Sequence, residues 1–252
     1  MPKLRAILLV IVLFFALCFL KDKANKNGPS FLPGITPLAD VSLQEQIEKN
    51  VGEKITYDVK LGHLTLGASI FKHLPTTELN GSPAIVMVFE TSLARFKDTE
   101  VIYSDPQTLL PIKIERNVIN WFTNEKITED YNQKDFTVTI SKKKGGKTES
   151  LLIKKDNPIH NAILLPQQIR RLAKLNNNEI IIANLPNRKY EMKLVSTDEV
   201  KVPAGTFKAY HFKSMPAQID IWISADERKL PIKIQSNGIG FGYLLVLKEY
   251  SK

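Results

Sequence analysis

Two 16-residue segments of this chain match each other at a constant offset of 120 residues: Ile102 to Asn117 and Trp222 to Asn237. Seven aligned positions are identical, whereas unrelated segments of this length would match at about one. The identical pairs are Ser104/Ser224, Leu110/Leu230, Pro111/Pro231, Ile112/Ile232, Lys113/Lys233, Ile114/Ile234 and Asn117/Asn237. The repeat favours duplication, and it predicts a chain that is built from two related halves.

Each copy of the repeat predicts a β-hairpin. A strand ends at Ser104 or Ser224, and a polar turn begins near Asp105 or Asp226. We expect the next strand to place its leucine and isoleucines on the core face and its proline and lysine outside. A proline near the start of a strand avoids the loss of a central ladder hydrogen bond. Because the identical residues are packing and turn positions, the repeat indicates architecture rather than catalysis.

From Gly52 onward, apolar and polar residues alternate with a period of two, the pattern of strands with one buried face. Short alternating stretches at close spacing predict a mainly β domain over residues 51–252, an antiparallel curved sheet or barrel. The predicted strands are Ile55–Leu61, Leu64–Ile70, Ala84–Thr91, Glu100–Ser104, Leu110–Arg116, Ile119–Tyr131, Phe136–Ser141, Ile180–Ala183, Lys189–Val195, Glu199–Val202, Thr206–Lys213, Gln218–Ser224, Leu230–Gln235 and Phe241–Tyr250.

One interrupted helix is predicted between the two halves. Asn157 suits the N-cap and Pro158 the first helical position, and an apolar stripe then runs from Ile159 to Leu172. Pro166 should kink this helix or split it in two. Two roles stay open: the helix could plug the mouth of a barrel, or it could cover an edge strand.

The first 20 residues predict export. Lys3 and Arg5 precede an apolar stretch from Ala6 to Leu20, which is the pattern of an export signal. As a helix this stretch rises only about 22 Å, against about 30 Å for a hydrocarbon core. No small-x-small cleavage site follows, so a cleaved signal and a retained signal anchor both stay open. Residues 21–50 are expected to form a polar linker that could include one short helix.

Cys18, the single cysteine, raises the question of lipidation. A bacterial lipobox has small residues before its cysteine, whereas bulky Leu17 stands here and the apolar run continues to Leu20. Cys18 therefore fits an apolar position in the export segment better than an acylation site.

Composition restricts the chemistry. One cysteine and four scattered histidines provide no metal-ligand spacing, and no Gly-x-Ser-x-Gly motif is present. We therefore expect no enzyme activity, no metal and no cofactor. The 35 basic residues exceed the 26 acidic ones, for a formal charge of +9. For an exported protein this excess favours an anionic membrane surface or an envelope partner over nucleic acid.

Two groups of residues are candidates for binding. Trp121 aligns with Phe241 across the repeat, and both could line an apolar cavity; core filling is the alternative for both. Lys142, Lys143, Lys144 and Lys147 surround two glycines and could contact an anionic surface. A solvated hairpin tip explains the same lysines.

Several motifs resemble an exported bacterial family, the DUF3108 proteins. The strand opening at Gly52–Val59 with Gly67 after it, the Val-Pro-Ala-Gly-Thr-Phe turn from Val202 to Phe207, and the closing hairpin from Trp222 to Ile234 are similar to that family. The resemblance covers about residues 50–250 and implies a barrel-like fold in the cell envelope, with no catalytic residue. The closing hairpin alone also resembles periplasmic lipoprotein carriers of the half-barrel type.

Together these features favour a non-enzymatic protein of the periplasm or cell envelope, tethered to the inner membrane if residues 6–20 are retained. We expect its barrel-like domain to bind an apolar, lipid-like ligand or an envelope partner. One alternative is a structural or assembly factor that acts through a sheet edge or the basic loop. Another is a hydrolase of envelope polymer, which would require a cleft with convergent carboxylates.

Overall fold

A computed structural model describes residues 50–172, 180–237 and 242–252. The predicted export segment, most of the polar linker and Phe241 lie outside these residues. The described part contains strands and one short helix, α1 (Leu165–Arg170), which lies between β8 and β9. The strands are β1 (Lys54–Leu61), β2 (Leu64–Leu79), β3 (Ser82–Leu93), β4 (Phe96–Ser104), β5 (Pro111–Ile119), β6 (Asn124–Asn132), β7 (Thr137–Lys144), β8 (Lys147–Lys154), β9 (Ile180–Asn184), β10 (Lys189–Val202), β11 (Gly205–Met215), β12 (Ile219–Ser224), β13 (Pro231–Ser236) and β14 (Tyr243–Ser251).

All of these strands form one antiparallel sheet in the order β8-β7-β6-β5-β4-β3-β2-β1-β14-β13-β12-β11-β10-β9. Two meanders, β1–β8 and β9–β14, therefore join only where β1 pairs with β14, from Lys54 opposite Ser251 to Lys60 opposite Leu244. β8 and β9 are the two edges, and the curved sheet does not close between them. The predicted mainly β, antiparallel curved architecture is confirmed.

Both copies of the repeat form the expected hairpin, β4–β5 in one half and β12–β13 in the other. Their turns share an uncommon backbone conformation, because Leu109 and Lys229, at equivalent positions, have φ of 55° and 47°. The prolines differ from expectation: Pro111 and Pro231 are buried rather than outside. Each proline pairs beside a β-bulge, and a bulge changes the face toward which a strand residue points.

The predicted helix is wrong in length and in its start. Residues 155–164 are not helical, because their backbone bonds to other elements: Gln133 Nε2 donates to the Ile159 carbonyl, Gln133 Oε1 accepts from the Ile159 N–H, and the His160 N–H donates to the Asn184 carbonyl. Pro166 does not interrupt α1 but lies in its first turn, where its missing N–H removes no helical hydrogen bond. Within the described residues no helix has the length and apolarity needed to cross a bilayer.

Several strand boundaries differ from the sequence expectation. The predicted strand Ile119–Tyr131 is broken by a turn, in which the Asn120 side chain accepts hydrogen bonds from the N–H groups of Phe122 and Thr123. β10 is continuous through a bulge, where two short strands are predicted. β8 is not predicted at all, because its side chains are almost all exposed and show no alternation.

Two sequence motifs have clear structural reasons. A Cβ at Gly67 would lie 2.0 Å from the Ser92 carbonyl oxygen, so only glycine allows β2 and β3 to approach so closely. The Val-Pro-Ala-Gly-Thr-Phe turn joins β10 to β11 and folds onto β14, where the Ala204 N–H donates to the Leu247 carbonyl. Val202 is buried in the same core cluster as Leu247.

Candidate binding cavity

A cavity of about 370 Å³ lies inside the curved sheet, between the two meanders. Strands β1–β7 line one part of its wall, and β10, β12, β13 and β14 line the other. Most of the wall is apolar, as alternation along the strands predicts for inward-facing positions; it includes Val59, Leu66, Phe71, Phe89, Ile127 and Ile221. Both its volume and its lining are those of small-molecule sites, which usually measure about 300–1,000 Å³.

The cavity has two different ends. At one end it is lined by Pro166 and Gln167, buried residues of α1, and by Asn161, Ala162 and Ile163, which precede the helix and are half-buried or exposed. At the other end its lining residues are exposed or half-buried; we call this end the mouth, formed by Lys60, Leu61, Asn187, Gln218 and Gly242. The helix α1 therefore closes one end of the cavity, which is the first of the two roles that the sequence leaves open for it.

Polar residues interrupt the apolar wall on β4, β5 and β6, and we call Asp98, Glu100, Arg116, Glu129 and Tyr131 the carboxyl cluster. The Arg116 Nε–H donates to Asp98 Oδ1 at 2.9 Å, and a second guanidinium nitrogen bonds Asp98 Oδ2. Arg116 Nε lies 3.4 Å from Glu100 Oε1, and the Tyr131 hydroxyl donates to Glu129 Oε2. All of these residues except Asp98 line the cavity.

Burial sets the protonation of this cluster. Desolvation raises the pKa of Glu100 to about 8, against an opposing effect of Arg116, so its carboxyl is largely protonated at neutral pH. Desolvation also raises the pKa of Glu129 above its ordinary value. Burial acts against the charged form of Arg116, but the adjacent Glu100 and Asp98 carboxyls raise its pKa, so the guanidinium is always charged. Three carboxyls therefore lie near one guanidinium at the cavity wall, and perturbed pKa values of this kind are found more often at functional sites than in ordinary cores.

A second buried ion pair holds α1 against β1. Arg170 donates to both carboxylate oxygens of Glu53, at 2.7 and 2.8 Å, and His73 Nδ1 lies 3.0 Å from Glu53 Oε2. Burial alone would raise the pKa of Glu53, but hydrogen bonds from Arg170 and His73 outweigh burial and lower it to about 2. Planar two-point pairing of this kind fixes the position of the helix as well as its charge.

The turns of both repeat copies also hold the helix. From the first turn, the carbonyl of Pro106 accepts from Arg171 Nη1 and the carbonyl of Leu109 accepts from Gln168 Nε2. From the second turn, the carbonyl of Arg228 accepts from Arg170 Nη2, and Lys229 Nζ donates to the carbonyl of Leu172. The repeated hairpin therefore has a structural role, because each half of the sheet contributes one copy and both copies form hydrogen bonds that hold α1.

A third polar group lies across β10, β11 and β12. His211 Nε2 is 2.7 Å from Asp220 Oδ1, His211 Nδ1 is 3.4 Å from Ser196 Oγ, and the imidazole stacks on Trp222 with ring centroids 4.1 Å apart. This Asp-His-Ser series is similar in composition to a hydrolase triad. None of its members lines the cavity, however, and the geometry serves to pack the β10–β11 hairpin against β12.

The structure places Trp121, one of the two predicted aromatic residues, away from this cavity. Trp121 lies in the turn between β5 and β6, is 48% exposed and stacks under the Arg95 guanidinium, 4.0 Å from its ring centroid. It is not among the cavity-lining residues, and Phe241 lies outside the described part of the chain. Within that part, no three His, Cys, Asp or Glu side chains are grouped as a metal site would require.

The predicted lysines lie at the β7–β8 hairpin. Gly145 and Gly146, both with positive φ, form its two-residue turn. Lys142 and Lys144 pair with Glu125 at 2.7 and 2.6 Å, whereas Lys143 and Lys147 are exposed. The four lysines are thus close together but differ in availability, since two of them already have a carboxylate partner.

Sequence reasoning missed the carboxyl cluster, although a signal was present. Phe96, Asp98, Glu100 and Ile102 occupy alternate positions of one strand, so a single face of β4 carries both apolar and acidic residues. A charged residue on the apolar face of a strand indicates a buried polar site. The sequence of β4 alone does not show that Arg116 on β5 and Glu129 on β6 lie close to these acidic residues.

Comparison with known proteins supports the fold and the family. A β-barrel-like protein of the domain of unknown function DUF1849 from Brucella abortus is similar with a TM-score of 0.50 and 8% identity, over 80% of this chain and 98% of that one. A protein described as exported, with a YmcC-like fold, from Bacteroides fragilis shares 12% identity over 80% and 96% of the two chains, with a TM-score of 0.29. No curated protein matches the sequence.

The family model described as "Protein of unknown function (DUF3108)" matches residues 56–244. That range includes β2–β13, both copies of the repeated hairpin, α1 and parts of β1 and β14. The resemblance seen in the sequence motifs is therefore confirmed, and this chain belongs to the DUF3108 family.

Proposed function

We propose that this protein is a non-enzymatic binding protein of the cell envelope, which holds an apolar, lipid-like ligand inside its curved sheet. The observation that carries the proposal is the cavity of about 370 Å³ with its largely apolar wall. Protein interiors are normally packed to crystal-like density, so a chamber of this size is unusual for a purely structural domain. The apolar surface it presents would be stabilised by an apolar occupant.

The shape of the chamber supports the same function. Helix α1, which closes one end of the cavity, is held by Glu53 and by both repeat turns. The residues of the mouth, among them Lys60, Asn187 and Gly242, are exposed or half-buried. A ligand would therefore pass through the mouth and not displace α1. The basic start and apolar stretch of residues 6–20 support a place in the envelope, with the inner membrane as the anchor if that segment is retained.

Native mass spectrometry of the full-length protein purified from membranes tests the proposal, together with binding of a neutral fluorescent probe, N-phenyl-1-naphthylamine. Leu66→Trp places a large ring in the cavity wall and should abolish probe binding. Leu64→Trp is the matched control, because Leu64 lies on the same strand but is 68% exposed and outside the wall. Protein that carries no copurified ligand and binds the probe equally well in both variants would contradict the proposal.

One observation favours a second candidate function, that of an assembly factor acting through a sheet edge. Edge strand β8 exposes 43% of Leu151 and 66% of Leu152, next to the basic hairpin tip. Exposed edges with apolar side chains are the usual templates for strand addition by a partner. In-cell crosslinking from β8 should then trap one envelope protein. Lys143→Glu should weaken that crosslink, whereas Lys213→Glu, an exposed lysine of β11, should not.

A further inference from the structure

We infer that the rim around the cavity mouth docks on an anionic lipid bilayer, so that the cavity opens toward the lipids. This inference goes beyond the proposed function, because it names a second partner, and the docking surface does not depend on what the cavity holds. Its basis is the unequal distribution of exposed apolar and charged side chains between the two ends of the sheet.

The connections of the sheet place one set of turns at the mouth. Because neighbouring strands are antiparallel, successive turns alternate between the two ends of the sheet. The mouth residues Lys60, Asn187 and Gln218 lie in or beside turns at one end. We call the turns at this end, with the two strand residues on either side of each, the mouth rim: 62–63, 94–95, 120–123, 145–146, 185–188 and 216–218. The opposite rim is defined in the same way by the turns 80–81, 105–110, 133–136, 203–204 and 225–230.

The mouth rim exposes large apolar side chains. Phe122 is 86% exposed, and Leu64, Ile119, Trp121 and Met215 are exposed as well. The Trp121 and Phe122 rings lie together, with centroids 6.3 Å apart. On the opposite rim, whose residues are all described, no leucine, isoleucine, valine, methionine or aromatic side chain is exposed. Exposed apolar side chains that are grouped in this way mark binding surfaces.

The mouth rim is also basic. It has eight basic residues and two acidic ones: Lys60, Arg95, Lys97, Lys143, Lys144, Lys147, Arg188 and Lys189, against Glu125 and Asp220. Both acidic side chains are buried, and they pair with lysines of β7 and with His211. The opposite rim has four basic residues and five acidic ones: Lys134, Lys201, Arg228 and Lys229, against Glu78, Asp105, Asp135, Asp226 and Glu227. An anionic surface would therefore attract the mouth rim in preference to the opposite rim.

The mixture of aromatic and basic side chains favours a lipid surface as the partner. Tryptophan is enriched where a membrane meets water, and basic residues beside it are attracted to anionic head groups. The Arg95 guanidinium lies over the Trp121 ring, so one patch presents both kinds of group. The Asn120 side chain accepts hydrogen bonds from the N–H groups of Phe122 and Thr123, which holds the turn that carries both aromatic rings.

A retained membrane anchor is compatible with this orientation. β1 begins at the opposite rim, so an anchor at residues 6–20 would be joined to the end of the sheet farther from the mouth. Residues 21–49 can span at most about 100 Å, whereas the eight residues of β1 rise only about 26 Å. The chain is therefore long enough for the mouth rim to reach the bilayer that holds the anchor.

Quenching of tryptophan fluorescence by brominated lipid tests the docking. The full-length protein is reconstituted with vesicles of phosphatidylglycerol and phosphatidylcholine, with or without bromine on the acyl chains. Trp121 should lose emission to the brominated lipid. Because the chain has two tryptophans and Trp222 is buried, Trp121→Phe should abolish this loss. Combining Trp121→Phe with Gln107→Trp moves the reporter to an exposed turn of the opposite rim, where no loss is expected.

Charge variants test the choice of partner. Lys143→Gln with Lys147→Gln should lower the ratio of docked to undocked protein about 25-fold, because each lysine near an anionic surface changes such an equilibrium about fivefold. Lys134→Gln with Lys201→Gln, at two exposed lysines of the opposite rim, should leave the ratio unchanged. Vesicles of phosphatidylcholine alone should restore the emission of Trp121.

Three results would overturn the inference: equal quenching of Trp121 and of the reporter at position 107, equal quenching with and without phosphatidylglycerol, or an envelope protein bound at the rim without any quenching. Binding of N-phenyl-1-naphthylamine without quenching of Trp121 would leave the cavity function intact. Quenching of Trp121 without binding of that probe would support the docking surface and contradict the cavity function, so the two proposals can fail separately.

Discussion

Glu53→Gln should destabilise the protein strongly at neutral pH and only weakly near pH 3. The substitution keeps the size of the side chain but removes the charge that Arg170 faces through two hydrogen bonds. The Glu53 and Arg170 side chains are only 1% and 7% exposed, so water cannot replace the missing carboxylate. A buried charge that has lost its partner is among the most costly local defects in a folded protein.

The magnitude follows from the pKa of Glu53, which falls from an ordinary 4.5 to about 2 in the folded protein. A group whose pKa is lower in the folded state stabilises that state above its unfolded pKa and loses this effect as the pH falls. The shift corresponds to about 3 kcal/mol at pH 7. Only about 1 kcal/mol of it remains at pH 3, where the unfolded carboxyl is already protonated.

Urea unfolding of the full-length protein in one fixed detergent, followed by tryptophan fluorescence at pH 7 and pH 3, measures both numbers. Glu90→Gln is the control, because Glu90 pairs with Lys72 at a half-exposed position and should contribute less than about 1 kcal/mol at either pH. A double substitution, Glu53→Leu with Arg170→Met, should recover most of the loss, since no unpaired charge is left. The reasoning is refuted if Glu53→Gln costs the same at both pH values.

Three further predictions concern other sites. Gly67→Ala should cost about 3 kcal/mol in urea unfolding, because its Cβ would meet the Ser92 carbonyl. Gly62→Ala, in open space but at φ 58°, should cost only about 1 kcal/mol. Equal losses in the two variants would contradict the close-approach argument. Glu100→Gln should gain stability relative to wild type as the pH rises from 5 to 8. The reason is that a carboxyl whose pKa is raised in the folded protein loses its proton first in the unfolded chain, so the wild type is destabilised over this range. If the difference between the two urea midpoints stayed constant with pH, the pKa of Glu100 would not be raised. His211→Ala should lower the free energy of unfolding by about 1–3 kcal/mol and shift the fluorescence of Trp222, whereas Ser196→Ala should do neither. If His211→Ala also abolished probe binding, the polar group around His211 would belong to the ligand site.

The antiparallel sheet and the two hairpins were predictable because they depend on local patterns. Alternation along β1 reflects which face is buried, and the repeat places Leu109 and Lys229 in the same kind of turn. β8 was not predictable in this way. An edge strand with almost every side chain exposed has no apolar face to reveal it, and Leu151 and Leu152 break any alternation.

The helix and the site depend on contacts that are distant in sequence. Residues 155–164 have a helical pattern, but Gln133 and Asn184 satisfy their backbone groups and remove the reason to form a helix there. The carboxyl cluster needs three neighbouring strands, and only the alignment with Phe241 suggested that Trp121 could line a cavity. Alignment across a repeat relates backbone positions; it does not determine on which side of the sheet a turn residue will lie.

The pairing of β1 with β14 has a consequence for the order of folding. Every other strand pair joins segments that are consecutive in the chain, so each meander can form as its residues emerge. The join between them, by contrast, must wait for the last strand. Removing residues 243–251 would not remove an edge strand of the sheet. It would divide the sheet into a fragment of eight strands and a fragment of five, which would expose new edges at β1 and β13. A C-terminal truncation in this family should therefore be more damaging than the loss of β8, although both remove a strand of similar length.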